Sequence, residues 1–217
     1  MELYGFPSEI IVNIIYNLFL SATSTSDDAR AGGIAGTSYK NTVITDCYST
    51  GDISASGGDS ADAGGIVGHC NIEPSNSNIT TTIARCYASG NISAAGSASQ
   101  KEAGGIAGSA RVESTSSCFG NITACVVSGK VVGDAGRTNR IVGETDSDYS
   151  LDKNIARSDM YVNNSNTVSG SATDVNGEDK TSSDLALEAT YTTPGWDFST
   201  VWKMSGDSPF RPILKWQ

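Results

Sequence analysis

Large apolar side chains are sparse along this chain, but their positions recur. Ile44, Ile83 and Ile122 each stand three residues before Cys47, Cys86 and Cys125, and the cysteines follow one another at a constant interval of 39 residues. Six residues after each cysteine comes Ile53, Ile92 or Val131. A second block alternates with the first: AGGIAG at 31–36, AGGIVG at 63–68, AGGIAG at 103–108 and a worn NRIVG at 139–143. In the segment IIYNLFLSATS the same spacing selects Ile14, Asn17 and Thr23 as an earlier copy. The blocks are rich in Ile, Val, Thr and Tyr with Gly at their ends, so they predict strands rather than helices.

Each unit carries three or four apolar residues, too few to offset a backbone ordering cost of about 1 kcal/mol or more per residue, so the copies must stack. Stacking places equivalent residues in columns, with the Ile and Cys positions and Ile34, Ile66, Ile106 and Ile141 lining a shared interior. The expected fold is all-β: a right-handed parallel β-helix, or β-solenoid, of about four coils. Strict alternation cannot put Ile44 and Cys47 on the same side, so a corner or bulge lies near them. Gly51, Gly90 and Gly129 are the candidates for that bend, because glycine reaches positive φ without steric cost.

These blocks resemble the GLUG-motif repeats of bacterial surface and secreted proteins, in which a GG-[I/L]-[V/A]-G strand is followed by a C-Y-x-x-G-x-[I/V] strand. The resemblance covers about residues 10 to 145, and TYTTPGWDFSTVWKMSGDSPFRPILKW at 190–216 looks like the ending of such arrays. It implies a β-helical stalk or adhesin-like module, sometimes within much larger proteins that include proteases, and it supplies no active site. Residues 1–188 are read as the solenoid, with 144–188 polar and irregular. Residues 189–217, which hold every Trp, are read as an aromatic cap over the open strand edges of the last coil.

Composition narrows the function. With 14 Lys+Arg against 24 Asp+Glu, a net charge of -10 excludes the basic footprint that nucleic acid or an anionic membrane requires. The apolar run Ile10 to Leu20 is broken by Asn13 and Asn17 and lacks a basic leader, so it is read as strand rather than export signal or membrane span. Met1 is read as the start of a fragment of a longer chain. Five cysteines without C-x-x-C spacing and a single histidine give no zinc ligand set, and no cofactor is expected. The column Cys47, Cys86, Cys125 is read as small buried filling, while Cys70 and Cys118 have no counterparts.

Pectin-degrading β-helices would show acids stacked on one face, but the column Asp52, Asn91, Lys130 does not. His69 is expected in a solvent-facing loop, and the segment 174–179 as a turn rather than a calcium loop. Tyr48 and Tyr87, with Val126 and Leu18, would form a short exposed aromatic ladder, the one candidate binding feature. The expected function is non-enzymatic: a cell-surface or secreted, adhesin-like binding or stalk module. Variable loops such as Asn71 to Asn78 and Ala94 to Glu102 would face a host glycan or extracellular protein. The alternative is a carbohydrate-active β-helix enzyme, lyase or hydrolase, which requires several acids converging on a single groove.

Overall fold

The computed structural model describes residues 9–12, 15–16, 19–72, 79–112 and 118–217, the first two segments as backbone alone. One full coil runs through five short strands, Thr42–Thr45, Tyr48–Ser49, Ile53–Gly57, Ser60–Gly64 and Val67–Ile72. Each pairs in parallel with its counterpart in the next coil or the one before, which makes five sheets, numbered 1 to 5 here in that order. Among the described residues, four coils pass through all five sheets, and a fifth continues sheets 1 and 2 with Tyr149–Asp152 and Ile155–Arg157. The fold is a parallel β-helix.

The predicted columns form the core. Ile44, Ile83 and Ile122 lie opposite one another in sheet 1, and Ile53, Ile92 and Val131 in sheet 3, all buried. Burying each of these side chains contributes about 1.5–3 kcal/mol, and only stacking makes that burial available to so thin a coil. The five cysteines are buried thiols. Cys70 faces the interior beside Ala110 in sheet 5, and Cys118 beside Ile79 in sheet 1, which gives both a packing role.

The first copy sits three residues earlier than its spacing suggested. Backbone pairing sets Ile11 opposite Ile44, Ile15 opposite Tyr48 and Leu20 opposite Ile53, while Thr23 pairs with Ser56. The link from Tyr39 to Thr42 is only two residues, Lys40 and Asn41, both at positive φ, which shortens this coil. Ile14, Asn17 and Leu18 lie outside the described residues.

The corner between Ile44 and Cys47 falls on Asp46, and its counterparts are Arg85, Ala124 and Lys153. All four adopt left-handed φ, between 51° and 56°. That single turn changes the parity of alternation and lets Ile44 and Cys47 both point inward. The glycines at 51, 90 and 129 serve another purpose: a Cβ on Gly90 would stand 1.9 Å from the Gly51 carbonyl oxygen, and one on Gly129 1.9 Å from that of Gly90. They permit close stacking rather than a bend. Because a non-glycine residue pays about 1–2 kcal/mol in the left-handed region, Lys153→Gly on the exposed corner should gain about 0.5–1 kcal/mol after the entropy cost of glycine. A thermal melt that shifts downward would contradict this.

The last coil ends through substituted columns. Asn154 takes the Cys position, accepting from the Cys125 amide at 3.0 Å and donating to the Ile122 carbonyl at 2.7 Å. Arg140 takes the column of Gly33, Gly65 and Gly105, where its buried guanidinium donates to the Gly177 carbonyl and pairs with Asp179 at 2.6 Å. Residues 158–180 then close the end: Val162 bridges to Val131, Val175 accepts from Ile141, and Glu178–Lys180 adds a strand to sheet 2.

The aromatic tail was expected over that end, and it lies elsewhere. After a capping box at Thr181 come two short helices, Ser182–Leu185 and Glu188–Thr192, and an antiparallel pair, Trp202–Met204 with Pro212–Leu214. This strap runs back along the outer face of sheet 2, where Tyr48, Tyr87, Val126 and Ile155 form an apolar column. Leu185, Tyr191, Trp196, Trp202 and Leu214 cover it. The Trp196 indole donates to the Ala124 carbonyl at 2.7 Å, that of Trp202 to Asp46 at 3.1 Å, and the Tyr48 hydroxyl to Gln217 at 2.6 Å.

Candidate functional site

Tyr48 and Tyr87 are stacked in register as predicted, but they are 1% and 5% exposed beneath the strap, so they offer no ligand platform. The segment Ala94 to Glu102 is mostly strand, Ile92–Gly96 and Gln100–Gly104 leaving only a short link, and of Asn71 to Asn78 residues 73–78 lie outside the described residues. Asp52 does stack on Asn91, whose amide it accepts at 2.8 Å. The Asp174 carboxylate accepts from the amides of Ser171, Asn176 and Gly177 and so closes a turn.

Polar chemistry concentrates where sheets 4 and 5 meet. The AGGI-x-G segment folds the chain so sharply that the outer faces of these two sheets close on each other. A Cβ on Gly68 would lie 2.7 Å from the Ala31 amide nitrogen, one on Gly108 2.6 Å from that of Ala63, and one on Gly143 2.7 Å from that of Ala103. Only glycine allows backbones to approach so closely. The residues flanking this contact form two facing columns: Arg30, Asp62, Glu102 and Arg137 from sheet 4, and Thr37, His69, Ser109 and Glu144 from sheet 5.

His69 is therefore a strand residue, 7% exposed, with Nδ1 2.8 Å from the Asp62 carboxylate, rather than a loop residue without an acidic neighbour. Arg30 Nε lies 3.6 Å from the same carboxylate. One coil on, Glu102 accepts from Arg111 at 2.5 Å and from Arg137 at 2.7 Å, and both arginines also pair with Glu144. Asp62 and Glu102 are only 2% and 1% exposed. The acids whose absence was inferred from the sequence do converge, but each is engaged by a cation or by His69. Glu102 Oε2 and Ser109 Oγ are buried without a hydrogen-bond partner.

Removing the charge at the centre of this crease leaves two arginines facing a neutral amide. They are about one-third exposed, so water screens part of the loss. Glu102→Gln should cost about 1–3 kcal/mol, read as a lower urea midpoint at unchanged slope. No change in midpoint would mean that the crease contributes nothing to stability.

The crease opens at the first coil into a recess of about 500 Å³ lined by Thr23, Asp27, Asp28, Arg30, Thr37 and Asp59, among others. A second hollow of about 360 Å³ lies between the fifth coil and the strap, with Ile155, Ala189 and Pro194 at its base and Lys153 and Lys180 in its lining. Among the described residues, no group of three or more His, Cys, Asp or Glu side chains is placed to hold a metal ion. Burial pushes the Cys70 thiol up to about 12 and raises that of Cys86 well above its ordinary value, so neither is a ready nucleophile. No helix among the described residues is long and apolar enough to cross a membrane.

Residues 28–54 match the model of the GLUG motif family, a stretch that takes in the first AGGIAG block, the left-handed corner at Asp46 and the start of the next strand. No curated protein matches the chain. Among solved structures, the chain is similar to the crystal structure of a candidate immunoglobulin A1 protease from Bacteroides ovatus, with a TM-score of 0.61 and 26% sequence identity. That likeness covers 96% of this chain and 58% of the other, so the chain spans little more than half the length of the protein it matches. The chain is a parallel β-helix, and its residues 28–54 match the GLUG motif.

Proposed function

We propose that the chain is a non-catalytic binding or stalk module of a larger extracellular bacterial protein, adhesin-like, and that it contacts a host glycan or extracellular protein. The observation that carries this reading is the closed state of the crease. Asp62, Glu102 and Glu144 are taken up by Arg30, His69, Arg111 and Arg137, and Ser109 beside them is buried. General acid–base work needs a group that can reach substrate and exchange its proton, and these carboxylates are instead neutralised in place. The GLUG match supports an extracellular setting, and the dry interior keeps all five thiols away from oxidants there. The longer Bacteroides ovatus chain supports a parent in which such a β-helix is one part.

Convergence of three acids on one crease also favours a second reading, the carbohydrate-active enzyme. The two separate in one experiment: the purified chain is applied to arrays of glycans and extracellular proteins, and in parallel incubated with polysaccharides while reducing ends are measured. Binding without release of reducing ends supports the module. Release that Glu102→Gln abolishes would establish the enzyme instead.

A further inference from the structure

We propose that the recess at the first coil is a binding site for the hydroxyl groups of a neutral saccharide. This rests on the glycan-binding reading above and gives it a place and a ligand class. Two of the four facing pairs along the crease are closed across it, Asp62 by His69 and Arg137 by Glu144, and Glu102, which faces Ser109, is closed by Arg111 and Arg137. At the first pair Arg30 stands opposite the neutral Thr37; its Nη2 is held by Asp28 at 2.7 Å, while its buried Nε lies 3.6 Å from the Asp62 carboxylate and has no hydrogen-bond partner.

At that position the crease widens into the recess of about 500 Å³, within the range of about 300–1,000 Å³ usual for small-molecule sites. Its lining combines guanidinium donors from Arg30 with carboxylate acceptors from Asp27, Asp28 and Asp59 and the hydroxyls of Thr23 and Thr37. A saccharide hydroxyl both donates and accepts, so one ring can answer both kinds of group. A carboxylated sugar would meet three acids against one arginine, on a chain of net charge -10 that already repels anions. Asp27, Asp28 and Asp59 are exposed and reach solvent, which leaves the recess open to a chain end.

The test compares wild type, Arg30→Gln and Asp59→Leu on arrays carrying neutral and acidic glycans, with circular dichroism to confirm folding. Asp59 lies in an exposed link away from the core, so Asp59→Leu keeps the test valid if Arg30→Gln loosens the crease. Wild type is expected to bind neutral saccharides, and each variant to bind them about tenfold or more weakly, as loss of a hydrogen bond to a charged group implies. Neutral binding that survives Asp59→Leu, or a preference for acidic glycans, overturns this site and leaves the glycan reading standing. Binding to no glycan of either kind overturns both.

Discussion

Trp202→Ala is expected to destabilise the protein by about 3–5 kcal/mol, the usual range for removing a buried tryptophan, and to free the strap from the side of the coil. Trp202 is fully buried; its ring lies 4.4 Å from that of Trp196 and 6.4 Å from that of Tyr48, and its indole N–H donates to Asp46. Asp46 also receives two bonds from Arg85, at 2.9 and 2.7 Å, so one carboxylate at a left-handed corner ties coil two to coil three and both to the strap. Losing the indole removes apolar burial and a donor together. Denaturant unfolding should show the lower midpoint, and hydrogen exchange should show new exposure around Tyr48 and Tyr87. Trp202→Phe, which keeps most of the ring, should lose less. If Trp202→Ala unfolded at the wild-type midpoint, the strap would be an ornament on a self-sufficient solenoid.

How much of this was legible in the sequence depended on which rule each residue obeyed. The Ile columns obey one rule repeated coil after coil, that an apolar β-branched residue faces inward, so equal spacing revealed them. Alternation then assigned Tyr48 and Tyr87 to the outer face correctly, but alternation says which way a side chain points and not what lies beyond it. Their cover comes from Leu185 and the residues after it, far along the chain and with no periodicity of its own. The fifth layer could have been found: Leu151 and Asn154 repeat the Ile-x-x-Cys pattern with a carboxamide in place of the thiol.

The crease was also written in the sequence, in the residues that flank each GGI block. They read Arg30 and Thr37, Asp62 and His69, Glu102 and Ser109, Arg137 and Glu144. Comparison down one column finds Asp62 stacked on Glu102 between two arginines, but it does not show the partners that stand across the fold. Recognising the pairs needs the sharpness of the turn, and that is set by backbone contact between neighbouring coils rather than by any local propensity. Asp62 and His69 become partners only once the two sheets are known to close.

Gly65→Ala should be strongly damaging, costing about 3 kcal/mol or more, at the upper end of what overpacking does in a rigid interior. A Cβ at Gly65 would stand 2.1 Å from the Gly105 carbonyl oxygen and 2.6 Å from the Ala88 Cβ. The carbonyl cannot move without breaking the stack, because backbone atoms of the next coil are held by their own ladder, and the crease holding Asp62 and His69 begins one residue away. The glycine is required here for closeness alone; its φ is not among the positive ones. The control is Gly136→Ala, where a Cβ meets nothing within 4 Å but φ is 82°, so its cost is confined to backbone strain of about 1–2 kcal/mol. Thermal melts of the two variants should separate steric from conformational demand. Gly65→Ala melting no lower than Gly136→Ala would mean that the coils can spread by an ångström at little cost, and then the tight crease could open and its acids reach a substrate.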